Sequence, residues 1–249
     1  MSGRTAAATA MAFRDQLRRP LVLILLIAVP AYVISRSIAT TEGIPREIGL
    51  PGGEQVLTTM KDLHGAVMGG TAVAFVAALV GVFVMQSALR GDRRLVVAGF
   101  EPGEAITARL IVLAASTALV VAVSALVTAL YFTPSGWGVF LVGLLLVGLI
   151  YGSLGTLAGA AMSNLAATYL MLFLVMTDLG IVSNPMFGDG TPEGWAALFP
   201  GYGPNRLMVG GAFAESFPVA GLLALSAAWA VGLTAAAVAV LRRVVGRRS

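Results

Sequence analysis

The sequence predicts an all-α integral membrane protein with six transmembrane helices, and three observations carry that prediction. Hydrophobic residues make up 58% of the chain and charged residues only 11%, for a mean hydropathy of +0.91, whereas a soluble domain carries about 25% charged residues. A chain this apolar cannot cover itself with polar side chains in water, so the bilayer is its solvent. Apolar runs recur at about residues 20–39, 64–89, 105–131, 137–162, 165–182 and 218–241, each near the length of about 20 residues that crosses a hydrocarbon core. The charges alternate along the chain: Arg4, Arg14, Arg18 and Arg19, then Arg90, Arg93, Arg94 and Arg109, then Arg242, Arg243, Arg247 and Arg248 fall in alternate connecting segments. The segments between them hold only Arg36, Arg46, Lys61 and Arg206, with most of the acids. The positive-inside rule then places both termini in the cytoplasm, and six crossings agree with that parity.

Residues 1–19 open the chain with arginines interleaved with Met11, Phe13 and Leu17. Phe13 and Leu17, four apart, share a helix face, and Arg14 and Arg18 share its neighbour. This pattern predicts an amphipathic helix lying on the inner leaflet; the bland alternative is a solvated, frayed N-terminus. Span one reaches full length only if Arg36 snorkels outward. Its rival is a signal peptide, because Ser37-Ile38-Ala39 resembles a small-residue cleavage site, although Arg36 sits within that region. Residues 40–62 read as a polar, glycine-rich outer loop. Span two is uncharged from His64 to Leu89, and Gly65 and Gly69 permit close helix approach.

The next segment, Arg90-Gly-Asp-Arg-Arg-Leu-Val-Val-Ala-Gly-Phe-Glu-Pro-Gly-Glu104, predicts a short cytoplasmic helix of its own. Asp92 can cap its N-terminus, and Gly99 can take the left-handed conformation that ends a helix. Pro102 then suits the first position of the following helix, with Glu101 and Glu104 near its positive dipole end. Span three contains Arg109 one turn inside its start. The turn Phe132-Thr-Pro-Ser-Gly-Trp137 precedes span four, whose Gly148/Gly152 and Gly155/Gly159 pairs are packing devices for either intrachain or dimer contacts. Span five follows Ser163-Asn164. Residues 183–217 do not span; within them Thr191, Pro192 and Glu193 spell a helix start, and Trp195, Leu198 and Phe199 would dip into the outer leaflet. Asp178 is the one carboxylate inside a span. Such residues are functional candidates by default, and Asp178 either pairs with Arg36 or reaches interfacial water. His64, near Asp62, reads as a satisfied interfacial histidine rather than a proton relay.

Taken together, this layout resembles the transmembrane subunit of ATP-binding-cassette transporters of the type-2 export class, across essentially the whole chain. Two patterns carry the resemblance: the segment 90–104, similar to that family's cytoplasmic loop, and Trp195-Ala-Ala-Leu-Phe-Pro-Gly-Tyr202 followed by Arg206, similar to its external segment. The long loop at 40–62 is a departure. The resemblance implies a multi-pass protein of the inner (plasma) membrane. It implies that Arg93, Arg94, Leu95, Val96, Val97, Gly99, Phe100 and Glu101 form a coupling helix docked on a cytosolic ATPase subunit. It implies that Trp195, Phe199, Pro200 and Tyr202 gate the outer end of the path, and that a second permease copy or a paralogue completes it.

The residues exclude several alternatives. A phosphate-binding loop needs a lysine, and Thr59-Met60-Lys61-Asp62, around the only lysine, does not form one. This chain is therefore not an ATPase of that type. If ATP drives it, as the resemblance implies, a partner chain binds the ATP and Mg and supplies hydrolysis, and this chain is expected to have no catalytic residues and no cofactor. Cysteine is absent and His64 is the single histidine, so no thiolate or multi-histidine metal site can form within one copy. No basic face with aromatic platforms accompanies the arginines, which argues against nucleic acid. Gly152-Ser-Leu-Gly155 misses the order an intramembrane serine protease requires. A passive channel or scaffold without an ATPase remains the contrasting reading. Few polar groups line the spans, which favours a hydrophobic or amphipathic solute such as a drug, a lipid or a peptide-like molecule.

Overall fold

The computed structural model describes residues 6–7, 9–11, 13–14, 20–50, 53, 55–97, 101–187 and 194–246; side chains at 20–21, 23, 90–97, 102 and 244–246 fall outside the description. The chain is mostly helical. Helix α1 is Pro20–Thr40, followed by the strands β1 (Pro45–Gly49) and β2 (Gln55–Thr59). Then come α2 (Met60–Val97), α3 (Pro102–Ala129), α4 (Trp137–Ala161), α5 (Asn164–Thr177), a 3₁₀ turn at Gly194–Leu198, α6 (Tyr202–Phe213) and α7 (Ala220–Gly246). Among the described residues, five helices are long and apolar enough to cross a membrane: α2, α3, α4, α5 with the turn that follows it, and α7. In α1 the apolar stretch is the shorter Ile24–Thr40, interrupted by Pro30, which has no N–H to give the Leu26 carbonyl. Before it, Phe13 packs on the core while Arg14 is exposed.

Helix α2 is the axis of the bundle: 83% of its apolar window is buried, against 17% for α7. Glycines make that centrality possible. A Cβ at Gly65 would lie 2.5 Å from Ile38 of α1. A Cβ at Gly155 would collide with the Ala78 carbonyl, and one at Gly81 with the Gly152 carbonyl. Gly155 and Gly159 of α4 therefore allow close intrachain packing on α2, while Gly148 and Gly152 meet Thr117 and Leu113 of α3 first. Gln86 of α2 adds a polar tie, its amide donating to the carbonyls of Gly159 and Met162 at 2.7 and 3.0 Å. These are C-terminal carbonyls of α4 that have no partner within their own helix.

The two ends of the bundle differ. At one, Met85, Ala88, Ile106 and Leu241 cluster with Leu89, Leu110, Ala160 and Val240, which gathers the C-terminal ends of α2, α4 and α7 with the start of α3. Arg90, Arg93, Arg94, Arg109, Arg242 and Arg243 all belong to this end by position along those helices. The opposite end carries the β-hairpin and the turn between α3 and α4.

Two expectations are corrected here. The helix expected between spans two and three is not a separate element, because α2 continues without a break through Arg90–Val97. Asp92 lies inside that helix and is not its cap, since a cap residue has non-helical backbone. Apart from Gly91, which costs a helix only about 1 kcal/mol, nothing in the stretch forbids continuation. Gly99 and Phe100 lie outside the described residues. Glu101 does precede α3, extended at φ −70° and ψ 141°, with Pro102 leading the helix and the Glu104 carboxylate accepting the Glu101 N–H at 3.2 Å.

The loop at 40–62 is the second correction. It folds into an antiparallel hairpin in which Arg46 faces Thr58 and Ile48 faces Val56. Ile48 and Leu50 are buried, while Glu47 and Leu57 point outward. Gly53, at φ 85°, makes the turn, a left-handed conformation that suits glycine. The Met60 N–H donates to the Ile44 carbonyl at 2.8 Å, so the hairpin leads straight into α2. Thr59 caps that helix through the Asp62 N–H at 3.1 Å.

Candidate functional site

Helix α5 starts at a Ser163 cap whose hydroxyl accepts the Ala166 N–H. It ends not in a plain terminus but in one π-helical turn, Asp178–Val182, closed by the Ser183 N–H on the Asp178 carbonyl at 2.7 Å. Such a turn inserts an extra residue per turn and re-aims side chains. Here it accompanies an Asp178 turned fully into the protein, with no exposed surface.

The Asp178 carboxylate accepts three hydrogen bonds. The Tyr151 hydroxyl of α4 donates at 2.5 Å, the Ser183 hydroxyl at 3.0 Å and the Gly201 N–H at 2.9 Å. Burying a carboxylate without partners is prohibitive, and these donors supply what water cannot. Position 201 has room for glycine alone: a Cβ would sit 2.6 Å from the Tyr151 hydroxyl and 2.8 Å from the carboxylate. A second tier of bonds braces the first. The Asn205 amide donates to the Ser183 carbonyl at 2.6 Å, and the Asn184 amide to the Gly180 carbonyl at 3.1 Å.

This carboxylate joins α4, the end of α5 and the entrance of α6. Helix α6 has 12 residues, about 18 Å at 1.5 Å per residue, too short for a hydrocarbon core of about 30 Å. Yet Gly203 through Ala212 are all buried. Its backbone lies against α4, where a Cβ at Gly143 would fall 2.7 Å from the Met208 nitrogen and one at Gly211 would fall 2.5 Å from the Phe140 nitrogen. Its far end is tied to the turn before α4: Gly136 N–H donates to the Gly211 carbonyl at 2.7 Å and Ser135 N–H to the Ala212 carbonyl at 3.1 Å. Phe132 stacks on Phe213 beside them, with ring centroids 5.5 Å apart. Helix α6 is thus a buried segment that does not cross, held at both ends.

The other predicted residues are distributed as follows. Arg36 is exposed on α1 and is not a partner of Asp178; the carboxylate pairs with Tyr151 instead. His64 lies 2.6 Å from the Thr41 hydroxyl, which itself donates to the Ser37 carbonyl, so the ring N–H is the donor. Asp62 is engaged with Thr59. Trp195 and Phe199 meet edge to face at 5.9 Å on the 3₁₀ turn, with Leu198 strongly exposed and Pro200 and Tyr202 half-buried. The predicted helix start at 191–193, like the side chains of Arg93, Arg94, Leu95, Val96 and Val97, lies outside the described residues. Tyr151 was not among the predicted residues, and a tyrosine amid the apolar residues of span four gives no hint of its partner.

An apolar cavity of about 140 Å³ opens between α1, α2 and α5, walled by Val29, Val33, Met68, Phe75, Leu172 and Met176. The hydroxyl of Thr71, also in its wall, is spent on the Val67 carbonyl at 2.9 Å. The cavity can therefore take hydrocarbon but offers little to a polar group. Among the described residues no three His, Asp or Glu side chains gather as metal ligands. Neither the family models nor the curated proteins compared with this chain match it.

Proposed function

We propose that this chain is the membrane-embedded permease subunit of an ATP-driven exporter of hydrophobic or amphipathic solutes, with ATP hydrolysed by a separate cytosolic subunit. The observation that carries the reading is the asymmetry of the bundle. The arginine-bearing end gathers the end of α2, the start of α3 and the end of α7, and the opposite end holds the hairpin and the buried, non-crossing α6. Under the positive-inside rule the arginine-bearing end faces the cytoplasm. There the long α2 projects Arg90–Val97 beyond its apolar portion, Met60–Leu89. A continuous helix is a stiff lever: force applied at Arg93 or Arg94 reaches the centre of the bundle through α2 itself.

On this reading the ATPase bears on the end of α2 and the turn to α3. The motion is delivered to the α1–α2–α5 cavity, whose apolar wall fits the solute class. The Asp178 junction keeps α6 attached to α4 and α5 while the rest moves. Two copies, or one copy and a paralogue, form the path in the inner (plasma) membrane. The test is co-purification in mild detergent with a hydrolysis-deficient ATPase trapped with ATP. Recovery of a nucleotide-binding subunit, lost on substituting Arg93 and Arg94, supports the reading. A chain that purifies alone under those conditions supports a passive channel or scaffold instead.

A further inference from the structure

Arg206, on the second turn of α6, is a buried cation with no counter-ion among the described residues. Only 6% of its surface is exposed. Its Nη1 donates to the Gly49 carbonyl at the end of β1, at 2.9 Å. Its Nε is sealed from solvent and has no hydrogen-bond partner. No acidic side chain among the described residues reaches it. Burial pushes its pKa below the ordinary arginine value, with Tyr202 opposing, yet a guanidinium stays charged at any physiological pH.

A lone buried charge is too costly to hold without compensation, and a single neutral carbonyl compensates little. The guanidinium is a fork whose edges each present two parallel N–H donors, matched to a carboxylate or phosphate. With Nη1 committed to Gly49, the edge containing Nε is the one left for a ligand. We propose that Arg206 anchors an oxyanion-binding site between the hairpin and α6, taking the phosphate or carboxylate of a lipid headgroup or of a small anion. The site does not depend on the exporter reading. It stands at the hairpin end, away from the Arg90–Arg94 segment, and would serve any membrane protein of this fold.

The full chain is purified and its thermal unfolding midpoint measured in two arms: in nanodiscs of phosphatidylglycerol against phosphatidylcholine, and in neutral detergent with inorganic phosphate or acetate added. A higher midpoint with phosphatidylglycerol alone assigns the site to a lipid headgroup; a rise with free anions assigns it to small solutes. In either case Arg206→Gln abolishes the rise. Arg206→Lys keeps the charge but not the fork, and weakens apparent anion affinity about tenfold, which preserves the comparison if the Gln variant does not fold. Anion effects equal in wild type and both variants overturn the proposal. Glu54 precedes β2 in sequence and lies outside the described residues. A Glu54→Gln variant that lowers the midpoint as much as Arg206→Gln, with no further loss in the double variant, also overturns the proposal, because the counter-ion would then be internal.

Discussion

Asp178 and Gly201 are 23 residues apart in sequence and joined by one hydrogen bond, the Gly201 N–H donating to the Asp178 carboxylate at 2.9 Å. That bond ties the end of α5 to the entrance of α6. The Tyr151 hydroxyl on the same carboxylate makes it a three-element junction. On the exporter reading proposed above, the junction holds α4, the end of α5 and the entrance of α6 together.

Tyr151→Phe removes the hydroxyl with little change of shape and leaves the buried carboxylate one donor short. We expect a loss of about 1–3 kcal/mol in unfolding free energy. Combined with Asp178→Asn, the two losses are non-additive by about 0.5–3 kcal/mol. Asp178→Asn with Arg36→Gln is additive, because those side chains do not meet. Unfolding measured in detergent across both cycles checks the assignment, and coupling to Arg36 in place of Tyr151 would contradict it.

Gly201→Ala drives a methyl group into Leu179, Tyr151 and Asp178. Overpacking at such a site costs about 1–3 kcal/mol. Gly221→Ala, in α7, meets nothing within 4 Å, and it changes stability by no more than about 0.5 kcal/mol. Thermal midpoints of the two variants, compared side by side, separate close packing from a general effect of losing glycine.

Much of the helical frame was legible because hydrophobic length is a direct physical requirement of the bilayer. The runs at 64–89, 105–131, 137–162, 165–182 and 218–241 correspond to α2, α3, α4, α5 and α7. The hairpin was not legible, since its inward residues, Arg46, Ile48, Val56 and Thr58, are few and mixed in polarity and both strands are five residues long. Helix α6 was hidden for a different reason. Gly203, Pro204, Gly210 and Gly211 give it poor intrinsic propensity, and what holds it is burial against α4, a tertiary effect. Asp178 stood out as a charge in an apolar span, but its partner did not. Tyr151 lies on another helix, and only the π turn and the glycine at 201 bring the three groups together. The expected separate helix after span two failed because a possible cap at Asp92 does not stop a helix that already runs through it.

Gln86→Leu removes both donors to the Gly159 and Met162 carbonyls. The expected cost is about 1 kcal/mol, with the effect concentrated at the α4–α5 turn. Hydrogen exchange should quicken at residues 160–166 and stay unchanged around Tyr151. Uniform acceleration would show that Gln86 matters to the whole bundle rather than to that end.

The sidedness of the bundle is the central claim, and the absence of cysteine allows a clean measurement. Arg93→Cys, at the end of α2, and Leu57→Cys, outward on the hairpin, are each exposed to a membrane-impermeant maleimide in intact cells and in inverted vesicles. The account predicts that Leu57→Cys labels in intact cells and Arg93→Cys only in inverted vesicles. Labelling of Arg93→Cys from outside intact cells would place the lever on the wrong face and contradict coupling to a cytosolic ATPase.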